Sequence, residues 1–284
     1  MTSQRRKKGS LLGFVLVFLM GAGILAYPTI SFWLAERQHI AAHQTYGRNV
    51  ANLTREEKQT LWDIAVHYNE RLVKSVVQDP FAGIENVEPF DEYYQTLDVG
   101  DGVMGYINIP AISVLLPVYH GISDEVLEKG VGHIPTTALP VGGEGTHAVL
   151  TGHTGLSHAK MFNDLVELRY GDEFYLEILD ETLAYRIEEI EIVLPDDVSG
   201  LQREEGRDTV TLVTCTPYSV NSHRLLVTGE RVPYTPEMEQ DKVDNKVDFP
   251  YWVPIIVVSI VLLILRMGRI KNAVQEDTHG KKTP

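Results

Sequence analysis

Two long apolar runs bracket the chain. Residues 11–30 are uncharged and mostly apolar, and they follow the basic Arg5, Arg6, Lys7 and Lys8; such a run is long enough to cross hydrocarbon as a helix. It exceeds the apolar stretch of a secretory signal, about 7–15 residues, and Ile24-Leu25-Ala26 makes a poor cleavage site. An uncleaved anchor is therefore expected. Residues 249–265 also lack a charge, opening near Tyr251 and Trp252 and stopping at Arg266, Arg269 and Lys271, which predicts a second span of near-minimal length. Basic flanks prefer the cytoplasmic side, so both termini are expected inside and the stretch between the spans outside.

Between the runs the pattern changes twice. Thr54-Arg55-Glu56-Glu57 has capping-box form, and Leu61, Ile64, Ala65, Tyr68, Leu72 and Val76 recur at helical spacing, which predicts a helix of roughly six turns. Asp79-Pro80-Phe81-Ala82-Gly83 stops it, and an irregular stretch rich in Asp, Glu and aromatics runs to about Gly102. From there short apolar runs bounded by Gly, Pro and Asp follow at 103–109, 114–119, 131–134, 146–151, 173–179, 183–194, 209–215 and 224–232. Eight such runs fit a mainly β chain closed into a barrel or stacked as a sandwich. The imperfect alternation of Tyr185, Ile187, Ile190 and Ile192 predicts a bulge. Short helices are expected at 124–129 and, after Ser157, over 159–168.

The stretch between the apolar runs carries 16 of the 25 basic and 37 of the 39 acidic residues, a net charge of −21. Such a surface repels nucleic acid and other polyanions, and solubility outside the cell accounts for it. Cys215 is the single cysteine. An exported chain with one thiol has no internal disulfide, so the thiol is either a small buried hydrophobe or a reactive group.

The spacing around Cys215 favours chemistry. In Thr209-Val210-Thr211-Leu212-Val213-Thr214-Cys215, alternation puts Thr211, Val213 and Cys215 on one face, and Pro217 follows at once. Arg224 opens the next run, so a hairpin would bring Cys215 and Arg224 to the same end of adjacent strands. A nearby cation favours thiolate over thiol, and a guanidinium donates hydrogen bonds to an oxyanion while being unable to act as a base. A rim ion pair is the plainer reading of Arg224. Among ten histidines, His153 stands out at a strand end between Gly152 and Gly155, a position suited to a general acid that meets substrate. His223 adjoins Arg224 and so faces the other way, His67 lies on the first helix, and His120, His133, His147 and His158 are secondary candidates. No His-Glu-x-x-His occurs, and no metal or organic cofactor is expected.

Thr211-Leu212-Val213-Thr214-Cys215-Thr216-Pro217-Tyr218, with Asn221-Ser222-His223-Arg224-Leu225-Leu226-Val227, resembles the signature of sortases, and Thr151-Gly152-His153 resembles their histidine motif. The similarity runs in the same order from about Gly105 to Arg231. It implies the eight-stranded sortase barrel, with Cys215 as nucleophile, His153 as general acid and base, and Arg224 as oxyanion or substrate stabiliser. A span after the barrel and the tripeptide Asp79-Pro80-Phe81 before it resemble the pilin-polymerising class C, whose lid carries Asp-Pro-aromatic. By that resemblance Asp79 pairs with Arg224 and Phe81 covers the Cys215 sulfur; the plainer reading of the tripeptide is a helix stop.

The layout expected is a basic tail at 1–10, a span at 11–30, a helix and lid segment at 31–101, the barrel at 102–233, a linker at 234–248, a span at 249–265 and a tail at 266–284. The resemblance implies, as partners, pilin subunits carrying a Leu-Pro-any-Thr-Gly sorting signal and an acceptor lysine, at the membrane and without nucleic acid. Joining proteins to peptidoglycan and hydrolysis are the rival reactions. A surface adhesin is the rival class, and it lacks its own Leu-Pro-any-Thr-Gly before residue 249.

Overall fold

The computed structural model describes residues 3–72, 92–156, 159–235, 237–238, 250–252, 254–262 and 266. They divide into two compact units, Met1–Ala35 with Val247–Pro284, and Glu36–Lys246. In the first unit, helix α1 (Ser3–Asn52) begins, and from Leu16 onward it is the one helix among the described residues long and apolar enough to cross a membrane. Leu16, Val17, Met20, Ile24 and Leu25 are all exposed on it, as lipid-facing residues are. Of the second apolar run, residues 254–262 are helical, about 14 Å at 1.5 Å per residue; much of the remainder lies outside the described residues.

Residues 36–52 of α1 belong to the larger unit and are helical where no helix was expected. Their buried residues are His39, Tyr46 and Val50, too few apolar positions for periodicity to announce the helix. The Tyr46 hydroxyl donates to Met104 O at 3.2 Å and accepts from Leu179 N at 2.7 Å. Asn49 donates to Val99 O at 3.1 Å, and His43 Nε2 lies 3.0 Å from a Glu177 carboxylate oxygen. Helix α2 (Arg55–Arg71) carries the expected capping box, Thr54 N donating to Glu57 at 2.7 Å and Glu57 N to the Thr54 hydroxyl at 3.2 Å. It ends earlier than expected, at Arg71. Buried Asn69 exchanges two hydrogen bonds with the backbone of Leu139, at 3.0 and 2.7 Å, which fixes the last turn against the barrel.

The barrel comprises β1 (Val103–Ile109), β2 (Val114–His120), β3 (Val131–His133), β4 (Thr146–Thr151), β5 (Glu173–Ile178), β6 (Glu181–Val193), β7 (Asp208–Thr216) and β8 (His223–Val232). It closes in the order β1-β2-β3-β4-β7-β8-β6-β5. β2 with β3 and β4 with β7 are parallel, and the other pairs antiparallel. Helix α3 (Asp124–Lys129) makes the β2–β3 crossover; Ser123 caps it and Gly130 ends it. Close packing of that crossover needs glycine at 132, where a Cβ would lie 2.4 Å from Gly121 O. The bulge in β6 falls between Ile187 and Glu189.

A further expectation is corrected. The helix over 159–168 shrinks to a 3-10 turn at Asn163–Glu167. Met161 has φ 42° and Phe162 is fully buried; a left-handed residue and an inward-turned aromatic break the helical path that the apolar spacing suggested.

Candidate active site

Strands β4, β7 and β8 are neighbours, and their registers converge at one edge. Cys215 pairs directly with Arg224 across β7 and β8, so both side chains share a face. β4 runs parallel to β7 with Thr151 opposite Val213, and the ladder continues past β4 through Gly152 N donating to Val213 O at 3.1 Å. That step carries His153 level with Cys215. The Thr214 hydroxyl, from the other face of β7, donates to Gly152 O at 2.7 Å and closes the junction. Glycine is required at 152 because a Cβ there would meet the Phe162 ring at 2.8 Å.

Backbone contacts hold the turn after His153. Phe162 N donates to His153 O at 3.1 Å. The Asn163 side-chain oxygen accepts from Gly155 N at 2.7 Å and from the Thr154 hydroxyl at 3.2 Å. Sequence reasoning missed Asn163 and Phe162, which lie within the segment read as a helix; no motif marks either.

Arg224 is buried, at 8% exposure, while Cys215 is half-buried. The guanidinium donates to the carbonyls of Asn221 and His223, each at 3.3 Å. His153 is also half-buried. Burial lowers its pKa, and the charges of Asp124 and Glu128 on α3 partly oppose that shift; the neutral imidazole is the favoured form near neutral pH. Cation, thiol and neutral imidazole at one rim make an arrangement able to form a thiolate and receive its proton.

The other histidines separate cleanly. His223 pairs with Thr216 and so takes the face opposite Cys215. His67 is exposed beside Glu70 on α2. His120, His133 and His147 are buried and hydrogen-bonded within the frame. His158 and Asp79, Pro80 and Phe81 lie outside the described residues. A cleft of about 580 Å³ lined by Ala111, Val166, Leu168, Arg169 and Asp172 contains none of His153, Cys215 and Arg224.

Comparison with known proteins identifies the family. The sortase domain family model matches residues 107–232. Sortase C-1 of Actinomyces oris is 48% identical, with a TM-score of 0.60 over 62% of this chain and 99% of that structure. A Streptococcus pneumoniae sortase C is 40% identical, with a TM-score of 0.64 over 69% of this chain and 98% of that one. Sortase A of Bacillus anthracis is 26% identical over 77% of this chain and 92% of its own length. The chain belongs to the sortase family. It is a cysteine transpeptidase, and its structural neighbours are class C sortases.

Proposed function

We propose that the chain is a pilin-polymerising sortase that cleaves a Leu-Pro-any-Thr-Gly-like signal between Thr and Gly and passes the acyl group to a lysine of the next pilin subunit. The observation that carries this reading is the strand register setting Cys215 against Arg224 with His153 level beside them. Similarity to a Streptococcus pneumoniae sortase C whose structure is described in terms of pilin substrate specificity supports the choice of substrate.

In this reading the Cys215 thiolate attacks the threonine carbonyl, and Arg224 donates hydrogen bonds to the oxyanion that forms. His153 takes the thiol proton and delivers it to the departing glycine amine, leaving a thioacyl enzyme. The incoming lysine amine then attacks the thioester while His153 removes its proton, and Cys215 leaves. Two moderate barriers replace one high one. The lowered pKa of His153 suits the proton-accepting steps. Asp79, Pro80 and Phe81 act as a lid, Asp79 toward Arg224 and Phe81 over the sulfur. Spans at 11–30 and 249–265 place both termini in the cytoplasm and the barrel outside, and the scheme uses no cofactor.

The test is to express the full chain with a pilin bearing the signal in Gram-positive cells and resolve the products by mass. A detergent-resistant ladder joined by isopeptide bonds to lysine is expected. A peptidoglycan adduct would instead indicate a housekeeping sortase, and a free threonine carboxylate a hydrolase.

A further inference from the structure

The face of β4, β7 and β8 that ends in His153, Cys215 and Arg224 carries a second arrangement deeper in the sheet. Read inward from the rim, the paired residues are Thr151, Val213 and Leu226, then Val149, Thr211 and Thr228, and then His147 on β4. Val149, Val213 and Leu226 form a buried apolar cluster with Ile134 and with Leu201, which comes from the β6–β7 connection, and Val198 of that connection packs on it. Residues 198–202 therefore lie over the same face, against Val213 and Leu226, each two residues inward of Cys215 and Arg224.

Below this cluster is a polar chain across all three strands. His147 Nδ1 lies 3.0 Å from Gln202 O, Nε2 lies 2.7 Å from the Thr211 hydroxyl, and Thr211 and Thr228 hydroxyls are 2.7 Å apart. All three side chains are at least nine-tenths buried. A carbonyl only accepts, so Nδ1 carries the proton and donates to Gln202. Burial favours the neutral ring, and in that form Nε2 accepts from the Thr211 hydroxyl and Thr211 from Thr228. The donors then run in one direction across the three strands.

We infer that His147 is a positioning residue: its Nδ1–H fastens the β6–β7 connection to the strands of the reactive edge and holds that connection as a wall against which the sorting signal lies. The apolar contacts of Val198 and Leu201 are non-directional, whereas this hydrogen bond is directional and comes from a buried ring; the other polar ties of the connection, Arg203 to Leu72 O at 3.4 Å and Arg207 to Glu230 at 2.9 Å, lie toward solvent. The role of the wall rests on the proposed transpeptidase reading; the fastening of the connection does not.

Two substitutions separate the two ring nitrogens, because an asparagine amide reaches about as far as Nδ1 and a glutamine amide about as far as Nε2. The full chain in detergent micelles would be assayed with a Leu-Pro-any-Thr-Gly peptide. Hydrogen exchange of residues 198–206 and alkylation of Cys215 by iodoacetamide would be measured on the same samples. His147→Gln should raise KM about tenfold, the size of one lost buried hydrogen bond, with kcat and alkylation unchanged and exchange faster. His147→Asn should keep KM and exchange near wild type. Wild-type values in both variants would overturn the inference, as would a joint loss of kcat, alkylation and thermal stability in both, which marks a purely structural role. If His147→Gln fails to fold, the ring 15N shifts of His147 in the wild-type chain decide: a proton on Nδ1 is expected, and a proton on Nε2 alone overturns the inference. A wild-type chain that does not cleave the peptide refutes the transpeptidase reading instead, and the exchange measurement still decides whether His147 fastens the connection.

Discussion

His133 and His153 sit on neighbouring antiparallel segments, yet their surroundings could hardly differ more. His133 ends β3 opposite Leu150 and is fully buried. Its Nε2–H donates to Ala138 O at 2.7 Å, and Nδ1 faces the Tyr93 hydroxyl at 2.9 Å. Tyr93 accepts from Gly121 N at 3.0 Å, so the ring is one member of a satisfied network tying residues 92–97 to the barrel. His153 leaves β4 at the rim, half-buried, two residues before Gly155, whose φ of 89° turns the backbone away. A histidine whose nitrogens are both committed to the frame fixes geometry, and one delivered to an edge beside a thiol is placed for proton transfer.

The largest effects should come from breaking the edge. Cys215→Ala should abolish both polymer and acyl-enzyme, since no other group there can form a thioester; polymer at wild-type level would end the assignment. His153→Ala should lower turnover by roughly 10²–10⁴-fold with melting temperature nearly unchanged. His133→Ala should do the reverse, costing about 1–3 kcal/mol by orphaning buried partners while the residual folded enzyme turns over normally. Finding the two swapped, by turnover and calorimetry, would refute the contrast.

Arg224→Lys keeps charge and loses the planar fork, and turnover should fall by about 10²–10³-fold without unfolding. A folded, active lysine variant would reduce Arg224 to an ion pair.

Acid sharpens the contrast further. Burial lowers the pKa of His133 to about 3, whereas in the unfolded chain the ring takes a proton near its ordinary 6.5. Between those values the unfolded state binds more protons, so stability falls as pH drops, by about 1.4 kcal/mol per pH unit at most for this group. Unfolding followed from pH 7 to pH 5 should show the loss, and His133→Gln should lessen its slope; an equal slope would show that other groups carry it.

The smallest effect concerns the lid. Replacing Asp79 and Phe81 together with Ala should speed iodoacetamide alkylation of Cys215 by about tenfold, the combined scale of one exposed ion pair and one aromatic contact. Identical rates would return the tripeptide to a helix stop.

Much of this was legible in the sequence because it is local. Strand β4 matches its expected bounds, since a short apolar run and flanking glycines are properties of a few consecutive residues. The pairing of Cys215 with Arg224 also followed from parity and one hairpin. Residues 36–52 did not announce their helix, because Tyr46 and Asn49 pack through hydrogen bonds to distant backbone and His43 through the Glu177 carboxylate, rather than through apolar repetition. Asn163 was hidden for the same reason: it acts eight residues back, on a turn whose shape no spacing specifies.

By itself the sequence determined the strands, the caps, the charge of the stretch between the apolar runs and the pairing of Cys215 with Arg224. Only the tertiary structure decided which histidines belong to the frame. That required the parallel β4–β7 pairing and the carbonyls of Thr96, Ala138 and Gln202. A histidine's work is set by what faces its two nitrogens, and chain segments far apart in sequence supply those partners.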